Sequence, residues 1–273
     1  MKPVGMNIHY VRYPLTYFLD DMVRLGYQYV ELWLAAPHFS LDEITEEDMV
    51  QLKKELDHRG LTCVCVTPEQ CSYPVNYGIS DERLRRRSID FFKKAIDTAA
   101  VIGAPRVLVT SGYDYFCNDR IIGWEQTRKS LKELAQYAAP KGITLVLEAL
   151  LHTTTRTVNT SDDIVAMLDQ VGEPNIVGML DFSQMLGNGE TVEKFTATLG
   201  DKLQYLHVVD GNGTGHLSLG DGTNDLCHFL NVVRESGYNG FASFEICPNC
   251  YFEDPTTPCR ESLAWFTDHG YTE

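Results

Sequence analysis

Four side chains that could ligate or titrate each close a short apolar run. Glu148 follows TLVL, Asp181 ends IVGML, His207 lies near the end of LQYLHVV, and Glu245 follows FASF. Each has an ordinary explanation alone: a solvent-facing Glu148, a helix-capping Asp181, a core His207. Together they share one structural phase, the carboxyl end of four consecutive predicted strands. Three carboxylates brought that close repel and raise one another's pKa values unless a cation neutralises them. One imidazole with three carboxylates is a hard, oxygen-rich set. It suits Mn²⁺ first, with Mg²⁺ or Co²⁺ as alternatives, better than a thiolate-preferring site does.

The elements that must position these residues are legible as an alternation. Eight apolar, β-branched runs read as strands: Val4–His9, Tyr29–Leu34, Leu61–Val66, Arg106–Thr110, Thr144–Leu147, Ile176–Leu180, Leu203–Val208 and Phe241–Phe244. A stretch of helical periodicity follows each. The longest spans Asp81 to Ile102, with Ser80 as expected N-cap and Gly103 as stop; another spans Glu125 to Ala139, before Pro140 and Gly142. The tripeptides LGY, RGL, IGA, KGI and SGY place Gly26, Gly60, Gly103, Gly142 and Gly237 between a helix and the next strand, where a left-handed cap belongs. Eight β–α units predict an α/β (β/α)8 barrel, one domain over residues 1–273. The alternative, a doubly wound open sheet, wants a phosphate-binding turn after its first strand, and HYVRYPL has no glycine cluster. In a barrel, residues 35–45, 67–80 and 211–224 are long loops on the catalytic face.

Composition narrows the partners. The 273 residues are 44% hydrophobic and 22% charged, with a formal net charge of −15. Nucleic acid and anionic membranes demand a basic footprint that this chain lacks, so a small molecule is the expected partner. No stretch reaches the roughly 18 apolar residues of a membrane span, and MKPVGMNIHYVRYPL has no signal-peptide apolar region. The expectation is a cytoplasmic, reduced protein. Cys63 and Cys65, at alternate strand positions, are expected to share a face. The CPNC pair Cys247 and Cys250 has no second CxxC to complete a zinc site, so free thiols are expected. The arginines Arg83, Arg85, Arg86 and Arg87 stand beside Asp81, Glu82 and Asp90, a solvated helix start rather than a phosphate site.

The order Glu–Asp–His–Glu on strands 5 to 8 resembles the xylose-isomerase-like barrel superfamily of sugar isomerases and epimerases, most of all its fructoselysine 3-epimerase branch. The likeness covers nearly the whole chain. It is carried by ELW with PH (Glu31–Trp33, Pro37–His38), TPE (Thr67–Glu69), YPVN (Tyr73–Asn76), DERLRRRSIDFFKKAIDTA (Asp81–Ala99), LEAL (Leu147–Leu150), GDKLQYLHVVD (Gly200–Asp210) and GYNGFASFE (Gly237–Glu245). The resemblance implies a Mn²⁺-type ion held by Glu148, Asp181, His207 and Glu245 against two adjacent oxygens of a ketose. It implies that Glu148 or Glu245 removes the C3 proton, that a cis-enediolate forms, and that the other glutamate reprotonates the opposite face. Dimers or tetramers are common in the family, so a homo-oligomer is expected.

Departures from the psicose/tagatose pattern fall at the substrate end. Gln184 stands where those epimerases have His, Thr154 where they have Glu, and Gly213 where they have Arg. Other residues expected at the mouth as substrate contacts are Glu31, Trp33, His38, Glu69, His152, Asp210 and His216. Asp210 is also a candidate for orienting His207 or its own loop, and Trp33 for core packing. His216 sits in GTGHLSLGDG, a segment similar to the family's H-x-x-P-G-x-G with Leu219 in place of Pro. Two other functions use or replace the same chemistry: a lyase or dehydratase, including one that cleaves a sugar–aglycone bond, and a non-catalytic sugar-binding protein.

Overall fold

The computed structural model describes residues 1–71 and 75–272. Tyr73 and Pro74 of the YPVN stretch lie outside the described residues. The strands are β1 (Lys2–Met6), β2 (Tyr29–Leu34), β3 (Thr62–Pro68), β4 (Arg106–Val109), β5 (Thr144–Leu147), β6 (Ile176–Asp181), β7 (Leu203–His207), the short pair β8 (Asp210–Asn212) and β9 (Thr214–Leu217), and β10 (Phe241–Phe244). Eight of them close into a barrel in the order β1-β10-β7-β6-β5-β4-β3-β2. The helices are α1 (Leu15–Leu25), α2 (Glu46–Arg59), α3 (Glu82–Ile102), α4 (Arg120–Ala138), α5 (Ser161–Val171), α6 (Phe182–Gly187), α7 (Val192–Leu199), α8 (Leu226–Glu235) and α9 (Thr256–Asp268). The predicted α/β (β/α)8 architecture is the one observed.

Period-two alternation along the strands builds two separate cores. On β4, Leu108 joins an inner cluster with Val4, Val64, Val146, Met179 and Tyr205. Its neighbours Val107 and Val109 pack with helix residues such as Phe92, Ile96 and Leu131. The inner cluster plugs the barrel, so chemistry is confined to its rim.

One irregularity breaks the alternation with a consequence for the site. Between β2 and β3, Val30 pairs with Cys63 but Glu31 pairs with Cys65, leaving Val64 as an extra residue. This bulge splits the cysteines: Cys63 packs with the outer cluster, Cys65 with the inner one. The expected shared face is therefore not observed. The same one-residue shift carries Thr67 onto the inner phase, beside Glu31.

Local signals decide the ends. The glycines of all five tripeptides adopt positive φ; Gly60, at 66°, ends α2 with its N–H on the Asp57 and Leu56 carbonyls, a conformation costly for a residue with Cβ. The cap of α3 is Asp81, not Ser80, because Asp81 Oδ1 accepts from Arg83 and Leu84 N–H. Ser80 instead donates twice to Asp114. α4 begins at Arg120, ahead of the expected Glu125, because Asp119 caps it. The predicted loop 211–224 contains most of the β8–β9 hairpin, whose period was masked by glycines. Arg85 and Arg86 pair with Glu82 and Glu133, so these two arginines of the cluster are spent on ion pairs.

Candidate metal centre

Register brings the four rim residues together. Asp181 lies opposite His207, and His207 opposite Ser243, two residues before Glu245. Glu148 is two residues past Val146, whose side chain points into the inner cluster, and so shares its phase. Glu148, Asp181, His207 and Glu245 each offer one ligand atom, all within 4.8 Å of one another. His207 Nδ1 is 3.1 Å from Glu245 Oε2, 3.7 Å from Asp181 Oδ2 and 4.0 Å from Glu148 Oε1.

Asp181 serves two ends at once. Its Oδ1 accepts from Gln184 N–H at 2.7 Å and caps α6, the ordinary role for such a residue. Its Oδ2 is buried with no hydrogen-bond partner, and the two nearest imidazoles stand 3.4 and 3.7 Å away. A second histidine reaches the cluster from the hairpin: His216 Nε2 lies 3.1 Å from Glu245 Oε2. Gly215 N–H donates to Ser183 Oγ at 2.9 Å, anchoring that strand to α6.

The electrostatics ask for positive charge. Burial, then the Glu245 carboxylate, pushes Glu148 well above the ordinary carboxyl range. Burial would raise Glu245 too, but His207 and His216 hold it well below that range. Burial disfavours charge on His207, yet Glu31 and Glu245 raise it well above its usual value; Asp181 and Glu245 do the same for His216. Left to itself, the cluster draws protons onto both imidazoles.

Above it opens a cleft of about 240 Å³ lined by Trp33, Glu69, Glu148, Gln184, His216 and Glu245, with Ile8, Leu108, Leu150 and Cys247 among the rest. Of the expected mouth residues, Trp33, Glu69 and His216 are brought here. Four are not. Glu31 is fully buried beneath His207, its Oε1 and Oε2 each 3.2 Å from His207 Nε2. His38 faces the β1–α1 connection: its Nδ1 accepts from Asn7 Nδ2 at 2.8 Å and its Nε2 meets the Tyr10 and Tyr13 carbonyls. Asn7 in turn holds Trp33 N–H at 2.7 Å, so His38 acts on the cleft only through Asn7. His152 is exposed on the loop after β5, outside the lining. Asp210 accepts from the N–H groups of Gly211, Gly220, Gly222 and Asn224, so it organises its own loop.

Sequence reasoning missed Thr67, Gln70 and Thr110 in the lining, and the role of Tyr205. Tyr205 carried a signal, standing two residues before His207 and so on the same face. Gln70 carried none, because its position depends on the chain after β3, where its Oε1 accepts from Thr110 N–H at 2.8 Å.

Among the described residues, no helix is long and apolar enough to cross a membrane. Residues 19–269 match the family model described as xylose isomerase-like TIM barrel. Fructoselysine 3-epimerase of Shigella flexneri is 29% identical over 268 residues, 97% of each chain. L-ribulose 3-epimerase of Methylomonas sp. (strain DH-1) is 28% identical over 229 residues, 81% of this chain and 74% of the relative. Among solved structures, D-psicose 3-epimerase with D-tagatose, from Clostridium cellulolyticum H10, superposes with a TM-score of 0.84 at 19% identity over 100% of both chains, a likeness of fold. On the family match, which spans most of the barrel, the chain belongs to the xylose isomerase-like TIM barrel family.

Proposed function

We propose that this protein is a carbohydrate epimerase that depends on a divalent metal and inverts C3 of a ketose or ketose derivative. The observation that carries the reading is the convergence of two carboxylates, Glu148 and Glu245, on one cleft, beside Asp181 and His207 with ligand atoms within 4.8 Å of one another. A binding protein has no use for such a pair.

The residues fit a divalent ion. Three carboxylates and an imidazole meet within one coordination sphere's reach, one buried carboxylate oxygen lacks a partner, and the cluster demands positive charge. Glu148, Asp181, His207 and Glu245 would hold the ion, Mn²⁺ in the first place; when bound it stabilises, as a Lewis acid, negative charge developing on substrate oxygens. One of Glu148 and Glu245 removes the C3 proton, and the other delivers a proton to the opposite face, which inverts the centre. Gln184 presents its amide Nε2 to the cleft, since its Oε1 is taken by Leu151 N–H at 2.9 Å. Ile8, Leu108 and Leu150 supply apolar walls that limit water around the exposed carbanion equivalent.

The wall also selects charge. No Lys or Arg is among the described residues lining the cleft, which disfavours phosphorylated and other anionic sugars. The Glu69 carboxylate has no hydrogen bond or ion pair with the described residues. It suits a ketose bearing an ammonium group, as the substrate named for the fructoselysine relatives does. Eight free cysteines accord with a cytoplasmic, reducing setting.

The test is proton exchange. The Mn²⁺-loaded protein is incubated with fructoselysine, psicose and fructose in D2O and followed by NMR and mass spectrometry. The expected result is deuterium at C3 together with the C3 epimer, most rapidly for fructoselysine. A product lighter by water or by an aglycone indicates the lyase or dehydratase instead, and no exchange with any ketose overturns the proposal.

A further inference from the structure

The reaction above makes no use of Glu31, a carboxylate with no exposure in the barrel interior. Burying such a group is costly unless its lone pairs are met. Three donors meet them. Tyr205 OH donates to Oε2 at 2.8 Å, Thr67 Oγ1 donates to Oε1, and His207 Nε2 lies 3.2 Å from both oxygens. Two of the three arise from register: Tyr205 shares the face of His207, and the β3 bulge turns Thr67 inward. A carboxylate gripped by two hydroxyls can only accept from the ring. Nε2 therefore carries hydrogen toward Glu31, which leaves Nδ1, 3.1 Å from Glu245 Oε2 and facing Asp181 and Glu148, as the nitrogen whose lone pair a metal at the centre of the cluster would take.

We propose that Glu31 is a positioning residue: from below, it fixes the tautomer and ring plane of His207 so that Nδ1 is the atom offered to a metal. The inference rests on the metal-centre reading given above. Partners of this kind typically hold a 10- to 100-fold share of metal affinity. Tyr205 and Thr67 act one step further out, by fixing Glu31.

The experiment is Mn²⁺ titration calorimetry on the wild-type chain, E31Q and Y205F, with side-chain ¹⁵N NMR of His207 in the Mg²⁺-loaded chain, where the bound ion is diamagnetic, and a thermal melt of each. E31Q is expected to bind Mn²⁺ roughly 10- to 100-fold more weakly, to lose the single Nε2–H tautomer, and to regain turnover at saturating Mn²⁺. Y205F keeps the carboxylate and is expected to weaken binding by a few-fold. A folded E31Q that binds Mn²⁺ like the wild type, with His207 in the same tautomer, overturns the role of Glu31 alone. If E31Q does not fold, Y205F decides: unchanged affinity overturns the proposal, weakened affinity supports it. Absence of Mn²⁺ uptake by the wild type overturns the metal centre, and the ligand role of His207 with it.

Discussion

The strands from β5 to β10 and those from β1 to β4 face one cleft but furnish it by different means. β5, β6, β7 and β10 each deliver one of Glu148, Asp181, His207 and Glu245 at the strand end or one residue beyond it. Their positions follow from parallel register, Asp181 opposite His207 and His207 opposite Ser243. The other half contributes Trp33 near the end of β2, with Glu69, Gln70 and Thr110 on the chain beyond β3 and β4, a stretch braced by bonds between side chains and backbone. Gln70 Oε1 accepts from Thr110 N–H, and Asn76 Oδ1 accepts from Gly78 and Tyr113 N–H. A ligand on a barrel strand cannot move without shifting the sheet. A wall built on loops can be remade residue by residue. On the function proposed above, one half would carry the reaction and the other would choose the sugar.

Substitutions in the two halves should separate accordingly. E148Q and E245Q each remove one acid–base group, and a metal ligand with it, and should lower turnover at saturating Mn²⁺ by about 10²- to 10⁴-fold, with the thermal melt little changed; steady-state kinetics and a melt check this. D181N should keep the α6 cap through Oδ1 yet weaken Mn²⁺ binding by more than the roughly 10- to 100-fold typical of an outer partner, as calorimetry reads. Across the cleft, E69Q should raise KM for fructoselysine by about 10-fold, near 1.4 kcal/mol, with kcat and the KM for psicose unchanged. A loss of kcat in E69Q, equal to that in E245Q, breaks the division between the halves. D210A frees four N–H groups of the loop that carries His216. It should cost about 2 kcal/mol, lower Tm by roughly 4–8 °C, and reduce turnover only a few-fold.

The smallest effect on turnover belongs to His9, buried against Pro255 and Cys259. Burial lowers its pKa from 6.5 to about 4, despite the Pro255 carbonyl. The unfolded chain therefore takes up a proton near pH 6.5 that the folded chain refuses until about pH 4. Stability is unaffected above that window and falls as pH drops through it, by up to roughly 3 kcal/mol from this group. H9Q should flatten that part of the wild-type curve in urea melts while leaving neutral-pH kinetics alone.

Legibility in the sequence follows the same division. Strand ends are local facts: an apolar run and the polar residue that stops it are adjacent, so Glu148, Asp181, His207 and Glu245 align from the sequence alone. The barrel was legible because helix stops recur as glycines such as Gly60 and Gly103. Residues whose neighbours come from distant segments were not. Glu31 looked like a rim residue because its strand ends near the mouth, but its place under His207 depends on the pairing of β2 with β3 and on Tyr205 across the barrel. His38 and Asp210 looked polar and available, yet both spend their atoms on nearby backbone or Asn7. His152 was near Glu148 in sequence, but the loop after β5 carries it outward.

The central claim is that one divalent ion sits among four strand-borne side chains. The most direct test is a crystal grown or soaked with Mn²⁺ and measured at the manganese absorption edge. The account predicts one strong anomalous peak per chain, coordinated by Glu148, Asp181, His207 Nδ1 and Glu245. A map with no peak there, or with the manganese held by other residues, contradicts it.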